Sequence, residues 1–526
     1  MTYLAVPIAA KNLDQAKQQI KTAKAAGAEM LELRTDYLEN LSLDLVKNLI
    51  AEAKTADPQP LPAVRRPQVE IIVTCRDARQ GGAIDYPVRL RIDILTEALK
   101  VGVEFIDFEY ENFLPAENRE RIRRALSQAS KSRLILSVHN FETKFPNIIK
   151  LHRHIQTLYS AVIPKLVYTA NHINDCFEAF DLLRRTSGSA IVFCMGEAGF
   201  ISRIIAKKLN SFVTFASIND ESATAPSQMN IEQFKTIYRW DSINADTKLY
   251  GVIGSRVAHS VGPAAHNACF ADIGENKLYL PLLVEGGKRE FDYFLRHILT
   301  RNWLGFRGFS VTMPHKENAL NFVKENHGFI EPLAEKIGAV NTIIVGPDGN
   351  LHAYNTDYAG ALDAITSTFG SKAKLKNLPV AVIGAGGVAK AIVAGLSGAG
   401  AKITIYNRTV ERGKKLAVEF NCDFAPLDDL PNIKAKLLIN CTSIGMYPDT
   451  DQSPVPKEYV KKGMAVFDTI YNPAETLLLK EAKQAGAKTI DGLSMFINQA
   501  AAQFKLFTGK DPNPKLMRKT ISNCLS

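Results

Sequence analysis

Eight apolar, β-branched runs recur before residue 220, at 4–9, 30–35, 70–76, 105–110, 134–139, 163–168, 190–195 and 213–218. Each is followed by a helix-like stretch or a polar loop. Strands that alternate with helices pair in parallel, and eight such units predict a (β/α)8 barrel. Reacting groups in that architecture lie at the C-terminal ends of the strands, which singles out Arg34, Arg76, His139 and Lys165 where these runs close. The stretch 56–68, with four prolines and two adjacent arginines, reads as a surface loop.

At 526 residues the chain is too long for one core. A helix-like segment from Gln228 to Trp240 and a polar stretch at 241–248 precede a new strand at 249–253. A second change of style comes near 372–377, where lysines introduce Val380-Ala381-Val382-Ile383 and a glycine cluster. No apolar run is long enough to cross a bilayer, and the N-terminus reads as a strand rather than a signal segment, so a cytoplasmic protein is expected. Seven cysteines stand singly without a C-x-x-C pair, which fits reduced thiols and no metal site. The formal charge of +10 is spread among acids without a polybasic block, so an anionic small substrate is expected rather than nucleic acid or membrane.

Lys165 sits in the apolar run Val162-Ile163-Pro164-Lys165-Leu166-Val167, where its ammonium must be desolvated or partnered. Desolvation favours the neutral amine, which attacks a ketone to form a Schiff base. Glu32 and Arg34 alternate on one strand face, and Arg203 follows the loop Gly196-Glu197-Ala198-Gly199. A barrel mouth would gather these groups around His139, which can serve as acid and base.

Over nearly all of 1–235 these residues resemble type I 3-dehydroquinate dehydratase. The motifs are Glu32-Leu33-Arg34, Arg76 with Gly81-Gly82, Ser137 to Phe141, Pro164-Lys165, Gly196 to Arg203, and Ala225-Pro226-Ser227-Gln228. The resemblance implies an imine between Lys165 and the C3 carbonyl of 3-dehydroquinate, with His139 moving the C2 proton and assisting loss of the C1 hydroxyl. It implies that Arg203 and Gln228 hold the substrate's carboxylate and hydroxyls, that Glu32, Arg34 and Arg76 order the pocket, and that Thr224 stands for the family's closing-loop serine. Gln80 replaces the usual glutamate before Gly81-Gly82, which implies a slower or pH-shifted dehydratase.

The strand 380–383 runs into Gly384-Ala385-Gly386-Gly387-Val388-Ala389, a G-x-G-x-x-A turn opening a helix, as a dinucleotide's pyrophosphate requires. After the next strand an NAD site usually offers an acid, yet here stand Asn407-Arg408-Thr409 and Arg412, whose guanidiniums suit the 2′-phosphate of NADP. Lys316 and Asp357, brought together, can share a proton for alcohol and ketone interconversion.

Across 248–515 the chain is similar to shikimate dehydrogenase. The motifs are His259-Ser260, Ser310 to Lys316, Gly338 to Thr342, Tyr354-Asn355-Thr356-Asp357, Asn440 to Met446, Tyr471 and Gly492 to Gln503. The resemblance implies Lys316 and Asp357 as the catalytic pair. It implies that Ser260, Thr312, Asn341, Thr356, Tyr471, Gln499 and Gln503 face the substrate, and that Gly384, Gly386, Gly387, Ala389, Thr442 and Gly492 lie against the cofactor. Gly262 stands where the family has a second serine, and the vacated volume near C1 suits quinate, so quinate oxidation is the alternative substrate reading.

The order of the halves resembles bifunctional 3-dehydroquinate dehydratase/shikimate dehydrogenases of the shikimate pathway, the first product, 3-dehydroshikimate, being the second substrate. The expected division is a barrel at 1–240, a substrate-binding domain at 248–358 completed by 490–526, and a Rossmann-type NADP domain at 359–489. A non-catalytic metabolite-sensing regulator on the same folds would not need Lys165, His139, Lys316 and Asp357, whose presence argues against it.

Overall fold

The computed structural model describes residues 1–55, 69–219, 228–258 and 260–525. Thr224 and His259, and the expected loop at 56–68, lie outside the described residues. The chain forms two compact units, Met1–Thr247 with Leu282–Val284, and Lys248–Pro281 with Glu285–Ser526.

The first unit contains eight parallel strands, β1 (Tyr3–Ile8), β2 (Met30–Arg34), β3 (Glu70–Thr74), β4 (Phe105–Glu109), β5 (Arg133–Asn140), β6 (Ile163–Thr169), β7 (Ile191–Met195) and β8 (Val213–Phe215). They pair in the order 7-6-5-4-3-2-1-8. The ends of this sheet meet through a backbone bond, Phe212 N–H donating to the Ala190 carbonyl at 2.7 Å. Side chains alternate across a strand, so every second residue of each run points to the axis. The lowest inward layer is apolar and includes Ala5, Met30, Ile72, Phe105, Ile135, Ile163, Ile191 and Val213. One step higher on β2 to β6 stand Glu32, Thr74, Asp107, Ser137 and Lys165, hydrogen-bonded to one another. The apolar floor buries the axis, and the layer above it becomes the base of a polar cavity.

The second unit holds two sheets. One is mixed, with β9 (Lys248–Gly254), β10 (Lys277–Leu283), β11 (Phe306–Val311), β12 (Phe329–Ile330), β13 (Thr342–Val345) and β14 (Leu351–Tyr354) in the order 10-9-11-13-14-12. Strand β13 runs antiparallel to both β11 and β14. The other is fully parallel, with β15 (Pro379–Ile383), β16 (Lys402–Asn407), β17 (Asp423–Pro426), β18 (Leu437–Asn440), β19 (Ala465–Asp468) and β20 (Lys488–Ile490) in the order 17-16-15-18-19-20. That is the 3-2-1-4-5-6 order of a doubly wound dinucleotide fold, whose ligand crevice opens where the order reverses, at β15 and β18. Apolar clusters cover both faces of this sheet, as an all-parallel sheet requires. Among the described residues no helix is long and apolar enough to cross a membrane.

Two candidate active sites

The first site fills the polar end of the barrel. Lys165 is the third residue of β6 and is only 4% exposed, one layer deeper than a strand-closing position. Its ammonium is partnered rather than merely desolvated: Nζ lies 2.8 Å from Asp107 Oδ2 and 3.5 Å from Glu32 Oε1. It also stands 4.5 Å from the ring centre of Phe215. Burial alone would raise the Asp107 carboxyl, but the charges of Arg76 and Lys165 hold it well below the ordinary carboxylate range. Arg76 is itself fixed by Asp107 at 2.7 Å and Glu109 at 3.0 Å. Arg34 makes a two-point contact with Asp36, at 2.9 and 2.8 Å.

His139 lies on the inward face near the end of β5. Gln80 Oε1 accepts the His139 backbone N–H at 2.8 Å and lies 3.3 Å from its Nδ1. An amide oxygen only accepts, so this contact favours the tautomer with hydrogen on Nδ1 and leaves the Nε2 lone pair for substrate. Burial first, and then the charges of Arg76 and Lys165, push the imidazole well below its ordinary value, so the ring is neutral at neutral pH. Arg203 is 2% exposed, its guanidinium 4.5 Å from the Phe193 ring centre, and among the described residues its Nη2 has no hydrogen-bond partner. Burial lowers it to about 10, which leaves it a cation with an unspent donor. Glu32, Arg34, Arg76, Gln80, His139, Lys165, Arg203 and Gln228 line one cavity.

In the second unit Lys316 opens the helix Lys316–Glu325 and Asp357 lies in the first turn of Thr356–Phe369, with Lys316 Nζ 2.6 Å from Asp357 Oδ2. Asn341 Nδ2 donates to Asp357 Oδ1 at 2.9 Å and to Thr356 Oγ1 at 3.0 Å, so one amide orients both. Gln499 Oε1 accepts from the Thr356 hydroxyl at 3.5 Å. Gln503 accepts from Ser310 Oγ at 2.8 Å and donates to the Asn341 carbonyl and Thr342 Oγ1 at 3.2 and 3.1 Å. Its amide braces β11 and β13 behind Asn341. Ser260 follows β9, Thr312 follows β11 with its N–H on the Ile253 carbonyl at 2.9 Å, and Tyr471 packs on Phe496 at 4.9 Å.

The glycine turn after β15 fits a dinucleotide. Gly384 has φ +109°, and a Cβ there would press on Thr442 and Cys441 at 3.1 to 3.3 Å. A Cβ at Gly386 or Gly387 would meet nothing within 4 Å, which leaves bare backbone at the N-terminus of the helix Gly387–Gly398. Ala389 is fully buried and serves the packing of that helix on its sheet. Thr442 Oγ1 donates to Asn440 Oδ1 at 2.7 Å beside the turn. A Cβ at Gly492 would lie 2.3 Å from the Ile470 carbonyl, so only glycine fits. Arg408, Thr409 and Arg412 are exposed beyond β16, while Asn407 Nδ2 donates to the Thr409 carbonyl at 2.8 Å.

Family models match in the same order along the chain. Type I 3-dehydroquinase covers residues 4–245, the shikimate dehydrogenase substrate binding domain 252–343, shikimate/quinate 5-dehydrogenase 366–466, and the shikimate 5′-dehydrogenase C-terminal domain 492–521. A chloroplastic bifunctional 3-dehydroquinate dehydratase/shikimate dehydrogenase of Arabidopsis thaliana is 34% identical over 97% of this chain and 83% of its own length. The chain belongs to the bifunctional 3-dehydroquinate dehydratase/shikimate dehydrogenase family.

The dehydrogenase half of this bifunctional enzyme is 40% identical to the NADP(+) shikimate dehydrogenase of Methanosarcina mazei, over 53% of this chain and 99% of that one. A shikimate 5-dehydrogenase structure from Thermus thermophilus, in complex with NADP(H) and shikimate, is 34% identical over 53% of this chain and all of that one, with a TM-score of 0.47.

Sequence reasoning passed over several groups of the dehydratase half. Asp107 and Glu109 alternate inward on β4, as Glu32 and Arg34 do on β2, and carry the signal that exposed Lys165, a charge in an apolar run. Asp36, Asp77 and Arg91 complete the ionic frame from outside the strands, where period-two alternation does not reach them.

Proposed function

We propose that the first unit dehydrates 3-dehydroquinate through an imine at Lys165, and that the second reduces the resulting 3-dehydroshikimate with NADPH. The observation that carries the first step is one cavity lined by a buried amine, a neutral imidazole and a guanidinium whose donor is unspent among the described residues. Lys165 attacks the C3 carbonyl, and water leaves as the iminium forms. His139 is neutral, so it takes the C2 proton first and then returns a proton to the departing C1 hydroxyl. Hydrolysis of the iminium releases 3-dehydroshikimate, and the net change is loss of one water. Arg203 receives the carboxylate and Gln228 the hydroxyls; Thr224, outside the described residues, would supply the hydroxyl of the family's serine. Arg34 and Arg76, held by carboxylates, keep the wall rigid.

In the second unit the bare backbone at Gly384, Gly386 and Gly387 holds the pyrophosphate, Arg408 and Arg412 the 2′-phosphate, and Asn407, Thr409, Thr442 and Gly492 complete the cradle. NADPH, when bound, supplies the hydride for the carbonyl carbon. Lys316 delivers the proton to the carbonyl oxygen and Asp357 orients the ammonium. Asn341, Thr356, Gln499, Ser260, Thr312 and Tyr471 surround the ring, while Gln503 acts behind Asn341. No observation favours quinate over shikimate: a Cβ at Gly262 would already lie 3.2 Å from Ser260 Oγ and 3.4 Å from the Tyr279 ring.

The reading is tested by borohydride reduction in the presence of 3-dehydroquinate followed by peptide mapping. A reduced adduct on Lys165, with loss of dehydration and retention of reductase activity, is expected. Full inactivation with Lys165 unmodified overturns the imine.

A further inference from the structure

The reaction just outlined leaves one group at the reacting nitrogen without a task. Asp107 is fully buried at the centre of β4, and its Oδ2 is 2.8 Å from Lys165 Nζ. The same oxygen accepts from Arg76 Nη2 at 2.7 Å, and Oδ1 accepts from Ser137 Oγ at 2.6 Å. Three donors on two oxygens pin the carboxylate in place and keep it ionised. Glu32 stands farther off, at 3.5 Å, and is shared with Thr74. Glu109 is turned to Arg76 and Arg91.

Imine formation takes the nitrogen from an ammonium, through a neutral amine, to an iminium cation. Two of the three ammonium protons leave with the carbonyl oxygen as water, and one remains as the iminium N–H. Elimination depends on that last proton, because a cationic nitrogen draws electrons from the C2–H bond and a neutral imine does so weakly. We propose that Asp107 is the electrostatic partner of the Lys165 nitrogen throughout turnover, accepting the iminium N–H as it accepts the ammonium, so that it orients the imine and keeps it cationic. This rests on the Lys165 imine proposed above. A pinned, ionised carboxylate does not act as the base; it stabilises charge without moving protons.

The other ionisable groups around the nitrogen are Glu32 from β2, Arg34 and Arg76 from the ends of β2 and β3, His139 from β5, and Arg203 from the helix Phe200–Ile204. Asp36 and Glu109 already offset Arg34 and Arg76, so loss of the Asp107 charge takes away the carboxylate nearest the nitrogen and leaves it Glu32 at 3.5 Å. The amine then frees more easily, and the iminium is harder to hold.

The test uses the full chain with Asp107→Asn and Asp107→Glu. Trapping at Lys165 by 3-dehydroquinate and cyanoborohydride is followed against pH, alongside kcat for enone formation. In the Asn variant the acid limb of trapping should move down by about one pH unit or more, and kcat should fall on the order of 100-fold. The Glu variant keeps the charge but displaces it, so its limb should stay within about 0.3 unit while kcat falls roughly tenfold. An unmoved limb or near-unchanged kcat in the Asn variant overturns the proposal, and so does an equal limb shift in both variants, which would mark packing alone. Should the Asn variant be recovered unfolded, the Glu variant decides, and an undiminished kcat there overturns the assignment. Absence of trapping in the unsubstituted enzyme defeats the imine itself, a separate failure.

Discussion

Lys165 and Lys316 each lie against an aspartate, and their surroundings separate their tasks. The Lys165 side chain is 5% exposed beneath the barrel mouth, whereas that of Lys316 is 25% exposed beside a cofactor crevice. The first suits covalent attack from a nitrogen held by buried carboxylates, the second proton exchange with solvent. Gln80 offers a sharper residue-scale prediction. Its neutral oxygen brings no charge to offset burial and the cations Arg76 and Lys165, which depress the imidazole against the opposing pull of Asp107. Gln80→Glu places a negative charge at that contact, so the acid limb of dehydration should move to higher pH by about one unit, read from kcat against pH. An unmoved limb would reduce the contact to packing. Lys165 was legible because a lysine in an apolar run is costly unless partnered. Asp107 carried the same signal, but attention to strand ends favours residues that close a run over one buried in its middle. Gln503 reads as a substrate ligand by motif, and only its three hydrogen bonds to Ser310, Asn341 and Thr342 reveal a brace.

At the scale of elements, alternation and turn chemistry explain what could be read in advance. All eight barrel strands form where apolar β-branched runs predict them, and the glycine turn after β15 opens a helix in a 3-2-1-4-5-6 sheet. The mixed sheet was not legible, because β12 has two residues and β13 and β14 four each, too short to carry a period. Beyond β16 the exposed Arg408 and Arg412 predict that Arg408→Ala with Arg412→Ala narrows the preference for NADPH over NADH by roughly tenfold per arginine, measured as kcat/KM. Equal loss with both cofactors would place these arginines away from the 2′-phosphate. The helix Gly262–Asp272 buries His266 against Tyr279, ring centres 4.3 Å apart, and burial lowers its imidazole to about 3. Its folded value lies below the unfolded one, so the unfolded chain binds the extra proton. Its stabilising contribution is present above about pH 6.5 and is lost as pH falls from there towards about 3. His266→Phe should flatten that part of the urea midpoint against pH for the second unit. An unchanged slope would show that His266 does not titrate on unfolding.

At the scale of the whole molecule, two units with their own sheets and cores carry consecutive steps. The product of the first is the ketone reduced by the second, and one chain keeps the two activities at a fixed ratio. Each half should fail alone: Lys165→Met should abolish dehydration and spare reduction, and Lys316→Ala should do the reverse. The most direct measurement follows enone absorbance and NADPH oxidation in the purified full chain given 3-dehydroquinate. Without cofactor the enone should accumulate; with NADPH, oxidation should follow after a lag and yield shikimate. Lys165→Met should oxidise NADPH only when given 3-dehydroshikimate. NADPH oxidation by Lys165→Met from 3-dehydroquinate, or enone that accumulates unreduced in the unsubstituted chain with NADPH present, would contradict the account.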